Sequence, residues 1–299
     1  MTTALEATGL GKRYGRVRAL EGCSFRLEAG RIAALVGPSG AGKSTLLHLA
    51  VGLLSPTEGS VRVLGRSPRD DSARAVASIG FVAQDVPLYR SFTVADHLHL
   101  GRRLNPRWDQ AAAWRRVRRL GIPPDSRVGT LSGGQRAQVA LTLALGKRPE
   151  LILLDEPLAA VDPLARRQFL QELMEEIAAD GVTVMLSTNL VADLERVCDH
   201  LVLLNGGRVQ LAGGIEDLLA EHRLLVGPAA GADLLQPDVR VIRRTVLERQ
   251  ATLWVRGRTG AALPPTWRES ALSLEDLVLA YLAGPGEAPR PAGALEVAS

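Results

Sequence analysis

Residues 31–44 constrain the fold more than any other stretch: Arg31-Ile32-Ala33-Ala34-Leu35-Val36 runs straight into Gly37-Pro38-Ser39-Gly40-Ala41-Gly42-Lys43-Ser44. The nearly unbroken apolar run predicts a strand buried on both faces, and such strands belong to parallel sheets covered by helices. The glycine-rich turn is followed by a predicted helix from Lys43 to Leu53. The octet fits G-x-x-x-x-G-K-[ST] in the strand–turn–helix context that this pattern requires. Its glycines let backbone N–H groups turn inward around an anion, and the helix start adds positive partial charge. Lys43 is then placed to reach β- and γ-phosphates. Ser44, with Thr45 beside it in the first helical turn, is placed near a phosphate-bound Mg²⁺.

Further apolar runs follow the same logic: Ile79-Gly80-Phe81-Val82, Leu151-Ile152-Leu153-Leu154 and Val182-Thr183-Val184-Met185-Leu186, with helical patterns between them. Strands alternating with helices predict an α/β, largely parallel sheet. Ahead of it, Ala4–Ala7 and Cys23–Leu27 read as two short strands around a turn at Tyr14-Gly15, an antiparallel β subdomain. Leu201 to Gln210 reads as a hairpin turning at Asn205-Gly206 on the sheet edge. Residues from about 86 to 150 are helical in pattern, broken at Pro123-Pro124, and read as an inserted helical subdomain.

Beyond about residue 212 the pattern changes to a small α+β appendage extending to 283. It comprises a helix from Ile215 to His222, strands at Val239–Ile242 and Ala251–Val255, and a helix capped by Ser273. From Gly284 the chain is rich in Pro, Gly and Ala, and disorder is the expectation.

Two more segments carry chemistry. In Leu151-Ile152-Leu153-Leu154-Asp155-Glu156-Pro157, four apolar residues deliver two acids to the C-terminal end of a strand, where open α/β sheets bind ligands. Asp155 suits the Mg²⁺ shell and Glu156 suits a general base that polarises water. In Leu131-Ser132-Gly133-Gly134-Gln135, a hydroxyl and two glycines precede a helix, making a second anion-seeking helix start.

The ordered set of 37–44, LSGGQ at 131–135 and LILLDEP at 151–157 resembles the ATP-binding-cassette (ABC) ATPases over residues 4 to about 210. The resemblance implies a P-loop NTPase core that binds ATP and Mg²⁺ and hydrolyses ATP. It places Gln84 in the family's Q-loop, touching Mg²⁺ and a transmembrane partner, and Asp162 in its D-loop. Tyr14 stands where the family stacks an aromatic on adenine. It also implies a head-to-tail dimer, homodimer or heterodimer, in which Ser132, Gly133, Gly134 and Gln135 of one subunit face the nucleotide of the other. A transmembrane permease subunit is the further expected partner, with the chain peripheral on the inner face of the cell membrane. The ending Ser273–Leu282 looks like that of bacterial exporter ATPases of the drug and antibiotic-resistance type.

One departure stands out. After the strand 182–186 the family has a histidine at the γ-phosphate; here Asn189 takes that place. Its amide donates a hydrogen bond but carries no proton or positive charge. Two readings stay open: weakened hydrolysis in an ATP-gated protein, or a motor in which Glu156 suffices. The net charge of +4 and pI near 9.5 fit a solvated surface, and no nucleic-acid partner is expected. The cluster Trp114-Arg115-Arg116-Val117-Arg118-Arg119 reads as a solvated helix face, or as a contact with the partner or lipid. Cys23 and Cys198 have no metal spacing and read as reduced, half-buried residues, which fits a cytosolic protein. The N-terminus lacks the apolar segment of a signal peptide.

Overall fold

The computed structural model describes residues 2–70, 72–157, 163–191, 194–230, 239–257 and 263–284. The expected tail from Gly284 therefore lies, but for its first residue, outside the described residues. The chain divides into two compact units, Met1–Ala212 and Gly213–Ser299.

The first unit opens with β1 (Thr3–Tyr14) and β2 (Val17–Glu28). Next come β3 (Ile32–Val36), α1 (Lys43–Ala50) and β4 (Glu58–Val63). After α2 (Ser72–Ser78) and β5 (Ile79–Val82) lie three helices, α3 (Val94–Leu104), α4 (Gln110–Arg119) and α5 (Gly133–Gly146). The remainder is β6 (Leu151–Asp155), α6 (Pro163–Asp180), β7 (Thr183–Thr188), β8 (His200–Asn205) and β9 (Arg208–Gly214).

Six strands form one sheet in the order β5-β6-β7-β3-β8-β9. Pairs β5–β6, β6–β7, β7–β3 and β3–β8 are parallel. The continuous apolar runs sit in its interior, as burial on both faces requires: Ala33 to Val36 and Leu151 to Leu154 are all buried. The edge hairpin turns at Gly206-Gly207, with φ of 54° and 74°, one residue later than the expected Asn-Gly. A two-residue turn with positive φ at both positions matches strand twist, and two successive glycines supply it at least steric cost.

In the antiparallel layer, order β2-β1-β4, β1 and β2 are each 12 residues long rather than two short strands, and β4 adds six more residues. Register shifts between Ala7 and Leu10 and between Leu10 and Lys12 break the alternation that would have revealed them. Leu5, Leu10, Leu20 and Leu27 of this layer join Leu46, Leu47 and Leu49 of α1 and Leu35, Leu153 and Met185 of the parallel sheet in one core. Each of these buried side chains contributes about 2 kcal/mol of hydrophobic free energy.

A separate cluster holds the helices between 94 and 146: Val94, Leu98, Ala113, Val117, Val128 and Val139 are all buried. Capping anchors their starts. Thr93 and Asp96 form a reciprocal box on α3, and Asp109 accepts from the Ala112 amide on α4.

Both cysteines are free and buried, deeper than the half-burial expected, because each lies on or beside the core sheets. Desolvation, with Asp199 adding to it, pushes the Cys198 thiol up to about 12.

The second unit contains α7 (Ile215–Glu221), β10 (His222–Pro228), β11 (Arg240–Leu247), β12 (Gln250–Arg256), β13 (Arg268–Ser270) and α8 (Leu274–Ala283). Its sheet runs β11-β12-β10-β13 over a core of Leu225, Leu253, Val255 and Trp267. Ser273 caps α8, accepting from the Asp276 amide at 3.1 Å.

Candidate nucleotide site at the carboxyl edge of the parallel sheet

Register, not sequence proximity, assembles the site. Val36 pairs with Thr188, Asp155 with Ser187, and Val82 with Leu154. Because these strands are parallel, Gly37, Gln84, Glu156 and Asn189 all emerge at or just beyond one edge of the sheet.

The loop 37–42 is held against its surroundings too tightly for side chains at two positions. A Cβ on Gly37 would lie 2.2 Å from the Leu204 carbonyl oxygen. Gly42, the N-cap of α1, has φ 104°, and a Cβ there would lie 2.5 Å from the Ala19 carbonyl oxygen. Pro38, Ser39 and Gly40 are exposed, Ala41 is buried, and Ser44 and Thr45 are half-buried in the first turn of α1.

Lys43 is only 4% exposed. Its ammonium donates to the carbonyls of Gly37 at 2.7 Å and Pro38 at 3.1 Å, and lies 3.0 Å from Glu156 Oε1. All three of its N–H groups are thereby engaged, two by backbone and one by a side chain that can move.

Glu156 has φ 41°, a left-handed conformation for a non-glycine residue. Such geometry costs about 1 kcal/mol and persists where the surroundings enforce it. The enforcing group is Ser187: its hydroxyl accepts from the Glu156 amide at 2.8 Å and donates to Asp155 Oδ1 at 2.7 Å. Ser187 and Asp155 are buried. Ser187 was not among the residues expected to matter. Its signal is visible only through the β6–β7 register, which sets it opposite Asp155.

Gln84 is exposed and its amide lies 3.5 Å from Glu156 Oε2, at the limit of a hydrogen bond. Asn189 is exposed just after β7 and shares a small cavity with Glu156, Ser187 and Arg166. The structure thus brings Lys43, Gln84, Asp155, Glu156 and Asn189 to one place.

It does not bring LSGGQ there. Ser132 and Gln135 form a reciprocal capping box on α5: the Gln135 amide donates to Ser132 Oγ at 3.2 Å, and the Ser132 amide to Gln135 Oε1 at 3.0 Å. Both are exposed, with Gly133 and Gly134 half-buried. Among the described residues no hydrogen bond or ion pair given for 131–135 reaches 37–45, 155 or 156. Tyr14, 46% exposed, ends β1 with the Lys12 ammonium 5.2 Å from its ring centroid. Asp162 lies outside the described residues.

Beside the segment after β5, an apolar groove of about 600 Å³ separates the helices from the parallel sheet. Leu53, Val76, Phe81, Val86, Leu104 and Leu143 line it, and Leu53, Val76 and Leu104 are exposed. Among the described residues no helix is long and apolar enough to cross a membrane.

Comparison with known proteins agrees with this geometry. The ABC transporter family profile matches residues 20–159. The Nod factor export ATP-binding protein I of Rhizobium sp. (strain N33) is 32% identical over 296 residues, covering 92% of this chain and 96% of that protein. The sulfate/thiosulfate import ATP-binding protein CysA 2 of Chromobacterium violaceum is 38% identical over 215 residues, covering 70% of this chain and 58% of that protein's length. A solved bacterial ABC transporter cassette described as dimeric superposes with a TM-score of 0.64 at 26% identity, covering 71% of this chain and 98% of the cassette.

Proposed function

The chain belongs to the ABC transporter family as one of its ATP-binding ATPases, and from that premise we propose that it drives export of a small molecule through a separate permease. The observation that carries the catalytic part is the convergence of Lys43, Glu156 and the Ser187-held Asp155 at one sheet edge. The loop amides and the start of α1 bind the phosphates, and Lys43 adds a charge to them. Glu156 takes the proton of the attacking water. Ser187 fixes the backbone from which Glu156 projects, so its carboxylate approaches from a set direction.

The donor set also suits Mg²⁺. The Ser44 hydroxyl, the Asp155 carboxylate and the Gln84 amide oxygen are hard oxygen ligands of the kind this ion takes alongside phosphates. When bound, Mg²⁺ neutralises phosphate charge and orients the nucleotide.

The exposed start of α5 serves the nucleotide of a second subunit, because among the described residues none of its hydrogen bonds reaches its own chain's phosphate loop. The apolar groove beside Gln84 receives the permease, which places the chain against the inner face of the membrane. Its exposed leucines and valine fit an apolar or amphipathic segment better than water. Export over import is supported by extent: the likeness to the exporter subunit spans 92% of this chain, whereas that to the importer subunit spans 70%.

Asn189 favours a second reading, an ATP-gated protein with slow turnover. Steady-state ATP hydrolysis decides between the two, measured on the chain alone and with its permease. A motor turns over in both and is stopped by Glu156→Gln. Slow turnover that rises at least fivefold in Asn189→His identifies the gated form. A parent that fails to hydrolyse ATP under any of these conditions, with no gain in Asn189→His, refutes the assignment of Glu156 and Asn189.

A further inference from the structure

A phosphate-binding loop must turn its amides inward, so its carbonyls face outward and need donors of their own. Gly37 and Pro38 find theirs in Lys43. The Ala41 carbonyl takes its donor from outside the loop: the amide of Gly207, at 3.2 Å. Gly207 lies in the turn between β8 and β9, more than 160 residues away along the chain.

The carbonyl of Gly207 is also tied down. Its carbonyl accepts from the Glu21 amide at 2.8 Å and from the buried Cys23 thiol at 3.1 Å, both on β2. The Glu21 carboxylate in turn pairs with Arg208 at 2.7 Å and Arg18 at 2.9 Å, clasping the turn to β2 from the solvent side. One residue, through its amide on one side and its carbonyl on the other, therefore joins the phosphate loop to the antiparallel layer.

Space at Gly207 is as restricted as its hydrogen bonding. The residue is buried with φ 74°, and a Cβ would lie 2.8 Å from the Ala19 carbonyl oxygen. That same carbonyl is the wall 2.5 Å from a Cβ on Gly42. Ala19 thus packs against the turn glycine and the loop glycine together, and movement of either is felt by the other. Gly206 is the built-in contrast: φ 54°, exposed, with nothing within 4 Å of a Cβ.

We propose that Gly207 is a positioning residue for nucleotide binding, its amide holding the Ala41 carbonyl outward so that the loop keeps its anion-binding shape. The inference rests on the reading of 37–44 as the nucleotide loop. It predicts an effect on affinity rather than on the chemical step, because the hydrogen bonds of Gly207 run to Ala41, Glu21 and Cys23 and not to Glu156 or Asp155.

The test compares Gly207→Ala with Gly206→Ala in the full chain. Both replace a glycine with positive φ and so share that backbone strain. Only the first meets the Ala19 carbonyl. Gly207→Ala is expected to raise KM for ATP and Kd for ADP at least tenfold while kcat changes less than threefold. Gly206→Ala is expected to leave all three within about twofold to threefold. Equal effects of the two substitutions, or a loss confined to kcat, overturn the proposal.

Should Gly207→Ala fail to fold, amide hydrogen exchange on the parent chain decides. Saturating ADP is expected to slow exchange at the Gly207 amide at least tenfold, and unchanged exchange overturns the proposal. Lys43→Ala separates this from the underlying reading. If it binds ADP as well as the parent does, the loop is not the nucleotide site and both fall. If it loses binding while Gly207→Ala keeps it, only the role of Gly207 falls.

Discussion

Replacing Glu156 by Gln should tighten nucleotide binding, even though it stops hydrolysis. Lys43 offers three N–H groups, and the structure commits them to Gly37, Pro38 and Glu156. A phosphate that engages Lys43 must displace one, and Glu156 is the only one of the three that a side-chain rotation frees. The Coulomb attraction at 3.0 Å is about 1.4 kcal/mol at the dielectric of water and about 5.5 kcal/mol at an effective value of 20. Lys43 is 4% and Glu156 16% exposed, so the attraction exceeds the water figure, but the desolvation of both ions offsets most of the excess and leaves a net contribution near the lower figure. An amide at 156 removes that competition and the repulsion between carboxylate and phosphate. Kd should fall about tenfold, the equivalent of about 1.4 kcal/mol.

ADP is the ligand to use. Its β-phosphate reaches Lys43, it is not hydrolysed, and it lacks the γ-phosphate expected to bridge two subunits. Titration calorimetry at 0.15 M and 0.5 M salt should show the gain shrinking as salt rises, because it is electrostatic. An unchanged or weaker Kd for ADP in Glu156→Gln would refute the argument that Glu156 and phosphate compete for Lys43.

Ser187→Ala leaves the Glu156 amide and a buried Asp155 oxygen each short of a partner, and should destabilise the first unit by about 3 kcal/mol; a loss below 1 kcal/mol in denaturant unfolding contradicts the bridge. Gly37→Ala brings a Cβ to 2.2 Å from the Leu204 carbonyl oxygen unless the loop shifts, and should weaken ADP binding about a hundredfold, with parent-like binding as the opposing result. His222 is buried, its ring bonded to the Leu218 carbonyl at 2.6 Å and the Tyr281 hydroxyl at 2.9 Å. Desolvation, partly offset by the Leu218 carbonyl, holds its folded pKa below the ordinary value of 6.5. The unfolded chain therefore binds the extra proton first, so the stability that neutral His222 contributes is present above pH 6.5 and lost as pH falls through the folded value. Thermal unfolding between pH 7.5 and 5 should lose part of its acid sensitivity in His222→Gln; His200, lowered by burial in the same direction, retains the rest.

What could be read from the sequence, and what could not, divides along a physical line. Lys43, Asp155 and Glu156 each follow a continuous apolar run, and such runs announce a central parallel strand whose C-terminal end carries the site. Local pattern therefore singled them out, whereas Asn189 was singled out by the family resemblance. Ser187 and Gly207 act through pairing between segments distant in the chain, Ser187 through register with Asp155 and Gly207 through the Ala41 carbonyl, and no local pattern encodes register. β10 was hidden for another reason: His222-Arg223-Leu224-Leu225-Val226 continues the apolar pattern of α7 without a break, and only pairing with β12 reveals where the helix ends and the strand begins. The residues proposed to bind phosphate are thus a local code, while those proposed to hold them in position are a tertiary one. Substitutions at Lys43 and Glu156 should consequently act on chemistry and charge, and those at Ser187 and Gly207 on the geometry that makes this chemistry possible. A double substitution tests that division: Gly207→Ala with Glu156→Gln should show the two effects on ADP affinity adding to within about 0.5 kcal/mol, because the sites share no partner. A larger coupling would mean that the Gly207 turn positions Glu156 as well as the loop.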